Sequence, residues 1–277
     1  MILAPLRGVT VRCFRRTFAD ELAEAGFDEA VTPFITATGE YDPLRDRELR
    51  GGETIKVTPQ FIGKDPVALR RCLERVKGAG YSTADLNAGC PFPMVRRKGR
   101  GSGLLRTPDV LARMLETGCE VMGEGAFSLK TRLGVDRADE LLALMPAINA
   151  FPLRFLVVHA RTARQMYEGG CDLAAFRAVE AAAKMPVVSN GDAPLSAKGR
   201  VMVGRAFVRA LGERDDADGL VGRYVEASRE ELCGDRPVLG RMKELVAYWK
   251  DSPRWRRRWS SVKVARTVDE LLRAVAY

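Results

Sequence analysis

The sequence predicts an α/β protein: a (β/α)8 TIM barrel with a small C-terminal helical domain. Three observations predict it. Eight short apolar runs follow one another from Ile2 to Val203, most trailed by a stretch with helical periodicity. Polar residues recur at the ends of six of those runs, where a barrel of this kind carries its active site. A length of 277 residues, 46% of them hydrophobic, suits one large barrel plus an appendage.

The elements are expected in this order. Ile2 to Ala4 is the first strand, followed by a helix over Cys13 to Ala25. Ala30 to Pro33 is the second strand. Ile55 to Ile62 is the third, with a helix over Pro66 to Ala79 behind it. Ser82 to Leu86 and the helix Pro108 to Met122 form the fourth unit, Ala126 to Lys130 and Ala138 to Asn149 the fifth, Phe155 to His159 and Leu173 to Lys184 the sixth. Pro186 to Ser189 is the seventh strand, and Val201 to Val203 is the eighth, followed by helix from Phe207. A doubly wound open sheet would need a nucleotide fingerprint after the first strand, and Pro5-Leu6-Arg7-Gly8 is not one. Near Asp215 the chain turns polar and acidic. Helical patterns resume over Val221 to Leu232, Gly240 to Lys250 and Thr267 to Val275, so the barrel is assigned to residues 1–220 and the helical domain to 221–277.

Bulk properties narrow the function classes. No apolar run is long enough to span a bilayer, and the first residues lack a basic leader and a cleavage site. The expected compartment is the cytoplasm, where the six cysteines stay reduced. No CxxC pair and a single histidine argue against a metal site. A net charge of +9 suits either a polyanionic partner or simply a basic soluble enzyme.

The chemistry concentrates in Leu86-Asn87-Ala88-Gly89-Cys90-Pro91. An amide and a thiol stand three residues apart on a tight turn closing a strand, and a glycine-rich basic loop, Arg96 to Gly103, follows. This arrangement points to proton-transfer or nucleophilic chemistry on an anion, against a buried structural cysteine as the alternative. Gln60, Lys130, Arg132, His159, Arg161, the Asn190-Gly191-Asp192 turn and Gly204-Arg205 occupy the other strand ends. Glycine-bearing loops after the seventh and eighth strands are a common barrel phosphate site. A lysine in a barrel mouth needs an anionic partner or must lose its charge, and a reduced isoalloxazine ring would serve as that partner. Arg254-Trp255-Arg256-Arg257-Arg258-Trp259 interleaves arginine with tryptophan. It reads as an RNA-contacting segment, or as a helix stripe with both tryptophans on a core.

LNAGCP with its glycine loop, SLKTRLG, VVHARTARQMYEGG, PVVSNGD and VMVGR, together with APLRGVT and TPQFIG, resemble the tRNA-dihydrouridine synthases over about residues 1–210. Gly240 to Trp249 is more faintly similar to the DusC branch, which acts on uridine 16 of the tRNA D-loop. The resemblance implies FMN reduced by NADPH, hydride transfer to C6 of a uracil, and proton donation to C5 by Cys90. It implies FMN contacts from Ala4, Pro5, Gln60, Lys130, His159, Asn190, Gly191, Asp192, Gly204 and Arg205. Uracil contacts would come from Asn87, Arg132 and Tyr167. The partner implied is tRNA, held in addition by Arg254, Arg256, Arg257 and Arg258, with the protein a monomer that needs neither membrane nor metal. Three departures stand out: Leu6 for the usual Met, Ala206 for a common Gly, and only the eight residues Ala193 to Arg200 where the family has a helix. The last admits a flavin-free, non-catalytic RNA-binding paralogue. A flavin barrel reducing a free pyrimidine is the other alternative.

Overall fold

The computed structural model describes residues 1–39, 41–192 and 199–276. Ten short strands occur in chain order: β1 (Ile2–Leu3), β2 (Glu29–Val31), β3 (Ile35–Thr36), β4 (Lys56–Thr58), β5 (Gln60–Ile62), β6 (Ala84–Ala88), β7 (Phe127–Gly134), β8 (Leu156–Thr162), β9 (Val187–Asn190) and β10 (Val201–Val203). Every pairing is parallel, in the order β3-β5-β6-β7-β8-β9-β10-β1-β2-β4. The ten make eight staves. Pro33 interrupts the second and Pro59 the third, because proline has no N–H to continue a ladder. Since β4 pairs with β2 while β5 pairs with β6, the single run 56–62 joins the two ends of that order and closes the barrel.

The helices are α1 (Arg12–Thr17), α2 (Ala19–Glu24), α3 (Pro66–Gly78), α4 (Pro93–Arg97), α5 (Pro108–Met122), α6 (Glu140–Ile148), α7 (Leu173–Ala182), α8 (Arg205–Glu213), α9 (Ala217–Glu231), α10 (Asp235–Ala247), α11 (Pro253–Val264) and α12 (Val268–Ala276). The start of α3 shows why the sequence folds this way locally: Asp65 accepts the Val67 N–H as its cap, and Pro66 occupies the first helical position, where no N–H is needed. The helix expected over Cys13 to Ala25 is broken at Phe18 into α1 and α2. Behind the second stave, among the described residues, only two 3-10 turns form, each capped by an aspartate, Asp42 or Asp46.

Of the short connection between the seventh and eighth staves, residues 193–198 lie outside the described residues. The strands it joins pair in ordinary parallel register, Val201 with Ser189 and Met202 with Asn190, and β10 pairs on to β1. The brevity of the link therefore does not open the barrel.

Strand alternation sorts the side chains into layers. Ile2, Ala4, Val31, Val157, Val188 and Met202 form an apolar cluster of their own with Phe155. A second cluster packs the outward faces of β5 to β9 against α3, α5, α6 and α7. The third joins β1, α1 and α8 to α9, α10, α11 and α12. Tyr224 of α9 meets Phe14 and Phe18 at ring centroid distances of 6.1 and 5.2 Å. The expected boundary at 220/221 thus falls inside α9, and the C-terminal helices share a core with the barrel. The acidic stretch after Asp215 is the first turn of α9, where carboxylates favour the positive end of the helix dipole.

Trp255 and Trp259 take the helix-stripe alternative. Trp255 is fully buried, meets Trp249 at a tilt with ring centroids 4.7 Å apart and donates to the Gly212 carbonyl at 2.7 Å, while Trp259 packs partly buried on the same core. No helix among the described residues is long and apolar enough to cross a membrane.

Candidate active site

The strand ends bring the polar residues together. Asn87 lies at the end of β6, and its Oδ1 accepts from the backbone N–H groups of Gly89 and Cys90 at 3.1 and 2.9 Å. That Asx-type turn holds Cys90 at the barrel mouth. Behind it, Gly101 fits closely, and Ser102 donates to the Cys90 carbonyl twice, from N at 3.1 Å and from Oγ at 2.9 Å. The thiol residue is only 7% exposed. Burial pushes its pKa up, outweighing a backbone hydrogen bond from Phe92 and the nearby charges of Arg132, Arg7 and Lys130.

Across β7, Lys130 and Arg132 stand two residues apart and so share a face. Lys130 Nζ donates to Asn190 Oδ1 at 3.0 Å, and Asn190 Nδ2 donates to the Met202 carbonyl at 2.8 Å. Burial, aided by Arg132, pulls the Lys130 pKa down to about 8. Arg132 is buried and donates to the carbonyls of Gly89, Thr162 and Met166 at 3.0, 2.9 and 2.7 Å. Burial also lowers its pKa, to about 10. On β8, His159 Nε2 lies 3.2 Å from Arg161 Nη1. A guanidinium only donates, so Nε2 accepts and the ring proton sits on Nδ1. Burial, then Arg132, Lys130, Arg161 and Arg205, keep this imidazole neutral. Arg161 is held by the Gly169 carbonyl and by the mostly exposed Asp192 carboxylate.

Two glycines mark close approach. A Cβ on Gly191 would lie 2.8 Å from His159 Cδ2, and one on Gly204 would lie 3.0 Å from Ala4 Cβ. Gly204 precedes α8, so Arg205 opens a nine-residue helix whose free N–H groups face the mouth. Ala4, with Pro5 after it, closes the ring: Ala4 N–H bonds to Val203 O, and Thr10 Oγ1 donates to the Ala4 carbonyl at 2.9 Å. Tyr167, 42% exposed, overhangs the mouth, with the guanidinium carbons of Arg205 and Arg132 at 4.7 and 5.3 Å from its ring centroid. The whole arrangement offers the protonated Cys90 thiol, several amide and imidazole N–H donors, and a cluster of cations with the exposed Asp192 carboxylate among them.

The tail arginines lie elsewhere. Arg254 donates to the carbonyls of Arg214 and Asp215, and both Arg254 and Arg258 pair with Asp218, at 3.1 and 2.6 Å. Arg214 follows the far end of α8, whose nine residues rise about 13 Å from the mouth. Arg256 donates to the Asp251 carbonyl, and it and Arg257 face solvent.

Sequence reasoning passed over two kinds of residue here. Asp85 and Ser128 line the same interior. For Asp85 the available signal was an acid inside an apolar strand, two residues from Asn87 and so on its face. Phe92 and Met94, 50% and 72% exposed beside Cys90, are large apolar side chains left in solvent. Only their burial reveals them.

The model of the dihydrouridine synthase family matches residues 2–205. A probable tRNA-dihydrouridine synthase of Rhodobacter capsulatus is 32% identical over 84% of this chain and 69% of its own length. A tRNA-dihydrouridine(16) synthase of Ralstonia nicotianae is 33% identical over 69% of this chain and 61% of its own. A tRNA-dihydrouridine synthase B of Vibrio cholerae is 30% identical over 73% and 63%. The chain thus spans between 61% and 69% of the length of these relatives. In fold it resembles the solved structure of TcOYE with pHBA, at TM-score 0.55 and 11% identity over 91% of this chain and 95% of that one. It also resembles an old yellow enzyme homologue from Zymomonas mobilis, at TM-score 0.51 and 10% identity over 76% and 85%. With the motifs, the closed barrel and the family match in agreement, this chain belongs to the dihydrouridine synthase family.

Proposed function

We propose that this chain reduces a uridine of the tRNA D-loop to 5,6-dihydrouridine, with FMN as cofactor and NADPH as reductant. The observation that carries the reading is the meeting of a buried, protonated Cys90 thiol with cations and N–H donors at one barrel mouth. Position 16 is the proposed target, supported by the relatives named for it.

The residues suit a flavin. Lys130 would face the anionic edge of the ring, with Asn190 and His159 offering amide and ring N–H groups; Gln60, expected at the flavin, is instead wholly buried between Asn87 and Asp85. Gly191, Gly204 and Arg205 would hold the phosphate at the start of α8, where a side chain on either glycine would crowd His159 or Ala4. Ala4 and Pro5 would line the first stave, and Asp192 holds Arg161 in place. A bound flavin supplies a hydride for C6 of the uracil. Negative charge then builds at C5 and O4 of the base, and Cys90 donates: Sγ–H breaks as C5–H forms, and the thiolate is later reprotonated from solvent. The raised pKa keeps the proton on sulfur until that moment. Asn87, Arg132 and Tyr167 would grip the uracil, Tyr167 by turning its exposed ring onto the base.

The RNA footprint proposed here takes in the loop after Cys90. Arg96, Arg97 and Lys98 have no acidic partner among the described residues, and Phe92 and Met94 are positioned to stack on or wedge beside an unpaired base. Arg256 and Arg257 would extend it, whereas Arg254 and Arg258 reach RNA only by releasing Asp218. The test is dihydrouridine mapping in tRNA from cells lacking the gene, alongside the absorption spectrum of the purified protein. Loss of one D-loop dihydrouridine and a yellow sample are expected. A colourless protein with unchanged tRNA favours the non-catalytic paralogue, and turnover of free uracil without RNA favours the pyrimidine reductase.

A further inference from the structure

Beneath Cys90 runs a chain of side chains whose lower members, Asp85 and Ser128, the reaction as described does not use. Its polarity is set from one end. The N–H groups of Gly89 and Cys90 only donate, so Asn87 must offer them Oδ1. Asn87 Nδ2 therefore turns to Gln60, 2.7 Å away, which meets it with Oε1. That leaves Gln60 Nε2 facing Asp85 Oδ2 at 2.8 Å. Ser128 Oγ closes the chain by donating to Asp85 Oδ1 at 2.6 Å. Gln60, Asp85 and Ser128 are wholly shut off from solvent, so no water substitutes for a missing partner. Flipping either amide would set donor against donor at one contact and acceptor against acceptor at the next. With Oδ1 accepting from Ser128 and Oδ2 facing Gln60, Asp85 is the acceptor at both contacts and admits one orientation of Gln60.

We infer that Asp85 is a positioning residue: as the buried acceptor at the base of this chain, it sets the amide orientations of Gln60 and Asn87 and, through them, the place of the Cys90 thiol. The inference rests on the proposed role of Cys90 as proton donor. Asp85 touches neither substrate nor the reacting atoms; it acts through two amides. Burial pushes the Asp85 pKa up to about 7, against the hydrogen bonds from Ser128 and Gln60 and the charge of Lys130.

The test compares Asp85→Leu with Asp85→Asn in the flavin-loaded protein. Three readouts serve: single-turnover dihydrouridine formation per bound flavin, tRNA affinity, and the rate of Cys90 alkylation by iodoacetamide followed by peptide mass spectrometry. Asn keeps an acceptor for Gln60 and can donate to Ser128 Oγ. Leu keeps the bulk and offers nothing. Leu should slow turnover by about a hundredfold, as a misplacement of order 1 Å does, with tRNA affinity unchanged. It should also speed Cys90 alkylation about threefold or more as the turn loosens. Asn should stay within about threefold of wild type in both, since the hydrogen-bond direction survives. Wild-type turnover and alkylation in the Leu variant overturn the proposal. So does an Asn variant as impaired as Leu, because charge rather than orientation would then be what Asp85 contributes. Should the Leu variant not fold, Ser128→Ala probes the same chain: a slower turnover at unchanged tRNA affinity supports the proposal, and an unchanged rate overturns it. The alkylation readout stands apart from catalysis. If Cys90→Ala retains turnover, the assignment of Cys90 fails while the relay is still decided.

Discussion

Gly101→Ala puts the geometry of the Cys90 turn to a quantitative test. Gly101 has φ +57°, and a Cβ built there would lie 2.8 Å from Cys90 Cβ and 2.9 Å from the Cys90 carbonyl oxygen. Ordinary contact begins at 3.4 Å, so one of the two residues must retreat by at least about 0.6 Å. The left-handed backbone costs a non-glycine residue roughly 1–2 kcal/mol, and relieving the overlap costs about 1–3 more. The variant should therefore lose about 2–5 kcal/mol of stability, read as a shift in urea midpoint at constant slope. The retreat falls on Cys90, the proposed proton donor, whose displacement should slow single-turnover dihydrouridine formation by about a hundredfold. Flavin content and tRNA affinity should hold, because neither ligand is proposed to touch Gly101. Ser102→Ala is the milder companion: it removes one of two donors to the Cys90 carbonyl, at about 0.5–1.5 kcal/mol. A Gly101→Ala protein that is folded, binds tRNA and turns over at the wild-type rate would falsify the account of how this loop seats Cys90.

Cys90→Ala should keep flavin and tRNA while losing about 10²–10⁴ of its turnover, measured as dihydrouridine per enzyme; near-normal rates remove Cys90 from the mechanism. Between pH 8 and 10.5 the unfolded chain still carries the Lys130 proton that the flavin-free folded protein has released. The contribution of this group to stability therefore rises with pH across that window. Lys130→Met should accordingly be the more stable protein below the window, with the gap closing across it in urea melts, and a pH-independent gap refutes the assignment. Replacing Arg96, Arg97 and Lys98 with Ala should flatten the salt dependence of tRNA binding by about one unit of log–log slope for each phosphate no longer neutralised. Arg254→Ala with Arg258→Ala should lower the melting temperature instead, by freeing Asp218 and loosening α11. Equal effects of the two sets on the salt slope would place the tail in the footprint beside the loop.

Periodicity made the barrel legible. Apolar runs such as Ala126 to Lys130 and Phe155 to His159 alternate with amphipathic stretches, and that pattern is local. The site was legible for the same reason: a polar residue ending an apolar run, such as Lys130 or His159, is visible without knowing its neighbours. Glycine-bearing turns at Gly191 and Gly204 carried the same kind of message. By contrast, whether Arg254 is free or spent on Asp218, and whether Trp255 faces RNA or Trp249, depends on side chains 36 and six residues away in sequence, respectively. The sequence by itself therefore determined the order of elements, and it singled out the end of the barrel and the thiol to which the chemistry is proposed to belong. Tertiary structure alone decided that Pro59 lets one run close the ring, that the C-terminal helices share a core with α1 and α8, and that Asp85 lies under Cys90. Local propensity and periodicity are written residue by residue, whereas burial and hydrogen-bond direction exist only once distant segments meet.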